Sequence, residues 1–157
     1  MSGTPIQSAQ GVEPQEFIAF HVGEQTYCID IITVREIRGW TPATPLPHAP
    51  SFVRGVINLR GSVLPVVDLA ARLGLPIKEP TARHAVIVVQ SNGQIVGLLV
   101  EAVSNIMTIA PDAIQPTPEV ASELSRSFIQ GIVAADQQVI SVLIVKNLLP
   151  ESLQLAA

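Results

Sequence analysis

A single cysteine, Cys28, in 157 residues excludes both a disulfide framework and a thiolate metal cluster. Its place in an apolar, strand-like run makes it a buried small hydrophobe. Aromatic residues are scarce at 4%, so the core must be built from Val, Ile and Leu, which suit pleated strands. Charged residues make up only 14% against 48% hydrophobic, a balance that excludes general disorder. The net charge of −4 gives no electrostatic basis for a nucleic-acid partner. No apolar run reaches the ~18 residues of a membrane span. No basic segment followed by an apolar stretch marks a signal peptide, so the chain reads as cytoplasmic and not inserted in a membrane. Reactive constellations are missing too. His21, His48 and His84 are dispersed without metal-ligand spacing, and no carboxylate couple, phosphate-cradling glycine loop or nucleophile elbow is present. No catalytic residue, cofactor or metal is expected, and an enzyme is not.

What the chain does contain is a pattern written twice. Gln25-Thr26-Tyr27-Cys28-Ile29, leading through Val34 to Ile37, matches Gln94-Ile95-Val96-Gly97-Leu98, leading through Val103 to Ile106, at an offset of 69. Phe52–Val56 matches Phe128–Ile132, and Val63–Val67 matches Val139–Leu143, at an offset of 76. The second copy therefore carries seven extra residues between its front and back halves, expected between Ile106 and Phe128. A repeat retains what its packing needs. Where the first copy reads Asn58-Leu59-Arg60-Gly61, the second reads Ala134-Ala135-Asp136-Gln137, so divergence points at Asn58 to Gly61.

Four hairpins are predicted. They join 16–22 to 25–30 at Gly23-Glu24, 52–59 to 62–69 at Arg60-Gly61, 85–90 to 94–100 at Asn92-Gly93, and 128–135 to 139–145. Residues 31–37 fit either a helical turn or a strand. Four prolines between Thr41 and Pro50 exclude a helix and a central strand. Asp68 to Gly74 has the acidic start and glycine stop of a short helix, and 119–126 and 146–153 are weaker helix candidates. Many short β-branched strands with tight turns argue for small barrels. The duplication argues for two, side by side, sharing an apolar interface. The expected division is a tail over 1–14, one domain over 15–150 made of barrels at about 24–83 and 84–145 with chain ends free to cross between them, and a tail over 151–157.

Charge is uneven. Residues 35–83 hold seven basic and three acidic side chains, and 84 onward holds two and six. This is either a recognition surface on the first half or unequal solvated faces. Glu36 lies between apolar neighbours, and strand alternation would put Asn58 and Arg60 on one face opposite Leu59. Turn chemistry and a surface ion pair are the plain alternatives to a site.

At these residues the sequence resembles the CheW-type coupling proteins of bacterial chemotaxis. The resemblance runs from Phe17 to about Leu149. It is densest in Val34-Arg35-Glu36-Ile37-Arg38-Gly39, in the stretch from Pro47 to Gly61, and in Leu64-Pro65-Val66-Val67-Asp68-Leu69. It implies a mainly β fold of two SH3-like five-stranded barrels with few short helices, and a scaffold without catalysis. It also implies two partners: the cytoplasmic tip of a methyl-accepting chemoreceptor and the regulatory domain of the histidine kinase CheA, with recruitment to membrane-bound receptor arrays. Val34, Glu36, Asn58, Arg60 and Gly61 fall where the family places its receptor groove. Val34 and Ile57 would supply an apolar strip for a receptor helix, and Glu36 and Arg60 its orientation. No residues are assigned to the kinase. The alternatives are a coupling protein of a pilus or biofilm pathway, and an unrelated SH3-like peptide-binding module.

Overall fold

The computed structural model describes residues 13–117, 123–135 and 137–150. All four hairpins form: β1 (Gln15–Val22) with β2 (Gln25–Asp30), β4 (Val53–Leu59) with β5 (Ser62–Asp68), β6 (Ala85–Ser91) with β7 (Gln94–Val100), and β9 (Ile129–Ala135) with β10 (Gln138–Leu143). Arg60-Gly61 and Asn92-Gly93 both have positive φ at each position, the mirror-image turn whose twist matches that of paired strands. Residues 31–37 resolve into both alternatives, a 3-10 turn at Ile31–Thr33 and then β3 (Val34–Gly39), and β8 (Ala102–Ile109) completes the strands. Asp68 caps α1 (Leu69–Arg72) by accepting from the Ala71 amide, and also pairs with Arg54 at 3.0 Å. The later helices are α2 (Glu123–Phe128) and α3 (Val145–Leu148); of their expected spans, residues 119–122 and 151–153 lie outside the described residues. Of the expected tails, residues 1–12 and 151–157 lie outside the described residues.

Two five-stranded sheets result, in the orders β3-β6-β7-β5-β4 and β8-β1-β2-β10-β9. The second order is the first with each strand replaced by its repeat counterpart. Each sheet joins two antiparallel hairpins through one parallel pairing, β5 with β7 and β10 with β2. The expected halves at 24–83 and 84–145 do not coincide with these sheets. The first sheet takes its strands from 34–100, and the second combines 15–30 with 102–143. Each copy thus lends its leading hairpin to the other copy's barrel. Connection length is the reason. β3 runs parallel to β7, and by symmetry β8 to β2, and a parallel return within one sheet needs a crossover of about a dozen residues. Only Ile31–Thr33 separates β2 from β3, and Glu101 alone separates β7 from β8.

Both sheets curl until their outer strands are linked. Thr44, past the end of β3, exchanges two 2.8 Å backbone hydrogen bonds with Val56 on β4, and Gln115 does the same with Ile132 on β9. The extra residues of the second copy lie between β8 and β9, where a 3-10 turn at Pro111–Ala113 and α2 are added. Strand alternation splits the core into three. Phe17, Ala19, Cys28, Val133 and Val142 fill one barrel, and Ile57, Leu64, Val66, Val86 and Leu99 the other. Between them, Phe20, Ile29, Leu69, Ile87, Leu98 and Leu148 build the apolar layer joining the barrels. The Arg72 guanidinium lies in that layer, 4.1 Å from the Phe52 ring and 4.9 Å from that of its repeat counterpart Phe128.

Candidate functional site

Glu36 and Arg60 are 24 residues apart in sequence and sit on the outermost strand β3 and on the β4–β5 turn, at opposite ends of the strand order. Barrel curvature brings them together as an ion pair. Glu36 Oε1 accepts from Arg60 Nη2, and Oε2 accepts from Arg38 Nη1 at 3.3 Å. Arg38 reaches it because residues two apart on a strand share a face. The hydrogen bond from Arg60, aided by Arg38, holds the Glu36 carboxyl below its ordinary range, and Glu36 in turn raises the Arg60 guanidinium. The cluster carries two cations and one anion. Its outermost member is Arg60, 69% exposed, while the Glu36 side chain is 27% exposed.

Asn58 has a local task. Its Oδ1 accepts from the Gly61 amide at 2.9 Å, pinning the turn from which Arg60 projects. Arg60 adopts φ +50 and Gly61 φ +88. Strand β4 ends at Leu59, so Arg60 is aimed by the turn and not by strand alternation. Val34 is half-buried against the layer between the barrels. Ile57 departs from its expected place in an apolar surface strip: it is buried, packed with Leu64, Val66 and Leu99 in the first barrel. Being next to Asn58 in a strand puts it on the inward face. Two residues escaped the sequence reading. Arg38 lies inside the densest segment but was not singled out, and Val63, the cross-strand partner of Asn58, is 56% exposed. Its exposed counterpart Val139, and the exposed pair Ile37 and Ile106, show that both copies keep apolar residues facing solvent at these positions.

Elsewhere, His84 is buried, its Nδ1 accepting from the Thr81 amide at 2.9 Å, and burial pulls its pKa down. Cys28 is buried, and burial pushes its thiol up to about 12. Among the described residues no group of His, Cys, Asp and Glu converges to hold a metal, and no helix is long and apolar enough to cross a membrane.

A duplicated β-barrel pair whose first copy carries an exposed ion-pair cluster suits an interaction scaffold. A family model for the CheW-like domain matches residues 16–152, so the chain belongs to the CheW-like family, one of non-enzymatic scaffold proteins. It is 54% identical to a probable chemotaxis protein CheW of Rhizobium etli over 138 residues, covering 88% of this chain and 89% of that one. It is 53% identical to the chemotaxis protein CheW of Rhizobium meliloti over 143 residues, covering 91% and 92%. Among solved structures, the scaffolding protein TtCheW of Thermoanaerobacter tengcongensis matches with a TM-score of 0.77 and 32% identity, covering 83% of this chain and 89% of that one.

Proposed function

We propose that this chain is a non-catalytic adaptor that couples the cytoplasmic tips of chemoreceptors to the regulatory domain of the histidine kinase CheA, and that the Glu36–Arg60 cluster is its receptor anchor. One observation carries the anchor assignment. Glu36 and Arg60, which the offsets of 69 and 76 align with Asn105 and Asp136 in the otherwise matched second copy, are brought into contact at the surface of one barrel. Packing does not require them, because the second barrel closes without them. Their charge sets the orientation and register of an incoming helix more than it adds affinity. Asn58 and Gly61 shape the turn that presents Arg60, Val63 offers apolar area beside it, and Val34 lies at the layer between the barrels. Ile57 supports the site from within.

An adaptor holds both partners at once, so the two surfaces must be separable. Arg60→Ala removes an exposed charge and should leave the fold intact. It should reduce pull-down by a receptor cytoplasmic fragment several-fold and leave binding to the isolated kinase regulatory domain unchanged. Equal loss of both partners, with circular dichroism and melting unaltered, would show one shared surface and refute the division. Recruitment to membrane-bound receptor arrays follows from the same binding, so a fluorescent fusion of Arg60→Ala should lose its localisation to receptor clusters.

A further inference from the structure

Arg38 stands where packing alone would place an apolar residue. The offset of 69 that aligns β3 with β8 puts Met107 at its counterpart position, and Met107 packs, half-buried, against the core of the second barrel. In the first barrel an arginine occupies that place at a cost. Its Nε is buried and has no hydrogen-bond partner, the one such side-chain nitrogen or oxygen among the described residues. A buried donor without an acceptor destabilises a fold, and one that persists calls for an explanation outside packing. The same side chain donates through Nη1 to Glu36 Oε2, the carboxylate oxygen that Arg60 does not take.

We infer that Arg38 is a positioning residue for the receptor anchor: it fixes the Glu36 carboxylate through one oxygen, so that the other holds Arg60 in a single presented orientation. A carboxylate anchored at one oxygen only would swing about its terminal torsion, which is broad and roughly two-fold, and Arg60 would swing with it. Two donors on two oxygens remove that freedom before a partner arrives, and preorganisation of this kind raises affinity by lowering the ordering cost of binding. Arg60 is the cluster's most exposed member, and its guanidinium carries more N–H donors than the one Glu36 oxygen it meets can accept. This inference rests on the receptor-anchor reading.

The test uses the residue of the second copy. Arg38→Met removes the unpaired donor and restores an apolar side chain, so the melting temperature should stay level or rise. Affinity for a recombinant receptor cytoplasmic hairpin fragment should nonetheless fall about two- to fivefold, the size expected from loss of an exposed charge pair. In the free protein, the NMR titration midpoint of the Glu36 carboxyl should move up, because one of its two cations is gone. Arg38→Lys keeps the charge but not the guanidinium geometry and should fall between the two. Arg60→Ala serves as the reference. If Arg60→Ala weakens binding and Arg38→Met does not, the positioning role is wrong and the anchor reading stands. If neither variant weakens binding, the anchor reading falls and takes this inference with it. A lower melting temperature for Arg38→Met would make Arg38 a packing residue and overturn the proposal.

Discussion

Replacing Gly55 with alanine should unlatch the first barrel. Gly55 lies on β4 under the strap that runs past β3, at φ +145, where side-chain-bearing residues are rarely found. A Cβ there would lie 2.5 Å from the Thr44 carbonyl carbon and 2.9 Å from the Pro45 nitrogen, and closer still to the Thr44 oxygen. All three are backbone atoms, so no side-chain rotation relieves the clash and the strap must lift. Lifting breaks both hydrogen bonds between Thr44 and Val56, which link the two outermost strands of the sheet. Two backbone hydrogen bonds at about 1 kcal/mol each, with about 1 kcal/mol of backbone strain, put the loss near 3 kcal/mol. For a chain of this size that corresponds to a melting temperature lower by about 6–12 °C. Gly93→Ala provides the control, since Gly93 also has positive φ but open space around its Cβ position, and should cost about 1 kcal/mol. Scanning calorimetry measures the difference, and hydrogen exchange at the Val56 amide locates it. A Gly55→Ala protein that melts with wild type and keeps that amide protected would refute the latch. The repeat supplies a second trial at Gly131, whose Cβ would meet Gln115 O and Ile114 Cγ2.

Arg72→Leu places in α1 the residue that the 76 offset puts in α3, Leu148, and removes the guanidinium from between Phe52 and Phe128 together with its donations to Leu148 O and Asn147 O. A destabilisation of about 2 kcal/mol is expected by urea unfolding, and an unchanged midpoint would show that apolar area alone joins the barrels there. His84 sets an acid limit. Burial lowers its pKa from 6.5 in the fold, so the unfolded chain takes up the proton first and stability falls as pH drops from about 6.5 toward the folded value. Its Nδ1 accepts from Thr81, so protonation also breaks that turn. His84→Gln should flatten stability against pH over that window, and an identical slope in both proteins would assign the acid loss elsewhere.

Local features were legible in the sequence because they depend on neighbours in the chain. Asn92-Gly93 and Arg60-Gly61 dictate tight turns, Asp68 and Gly74 bracket one helical turn, and β-branched runs become strands. The repeat itself was legible, and with it the copy-specific segment Asn58 to Gly61 that holds Arg60, since comparing two copies of one pattern separates residues needed for packing from the rest. Tertiary structure decided three things. It assigned the leading hairpin of each copy to the other copy's barrel: the copies are alike enough that either hairpin suits either sheet, and only the strand order shows that the short links after β2 and β7 forbid a return. It sent Ile57 inward and aimed Arg60 by a turn, a distinction that alternation cannot draw where a strand ends. And it brought Arg38, Glu36 and Arg60 together, because a contact between the outermost strands of a sheet exists only once that sheet has curled.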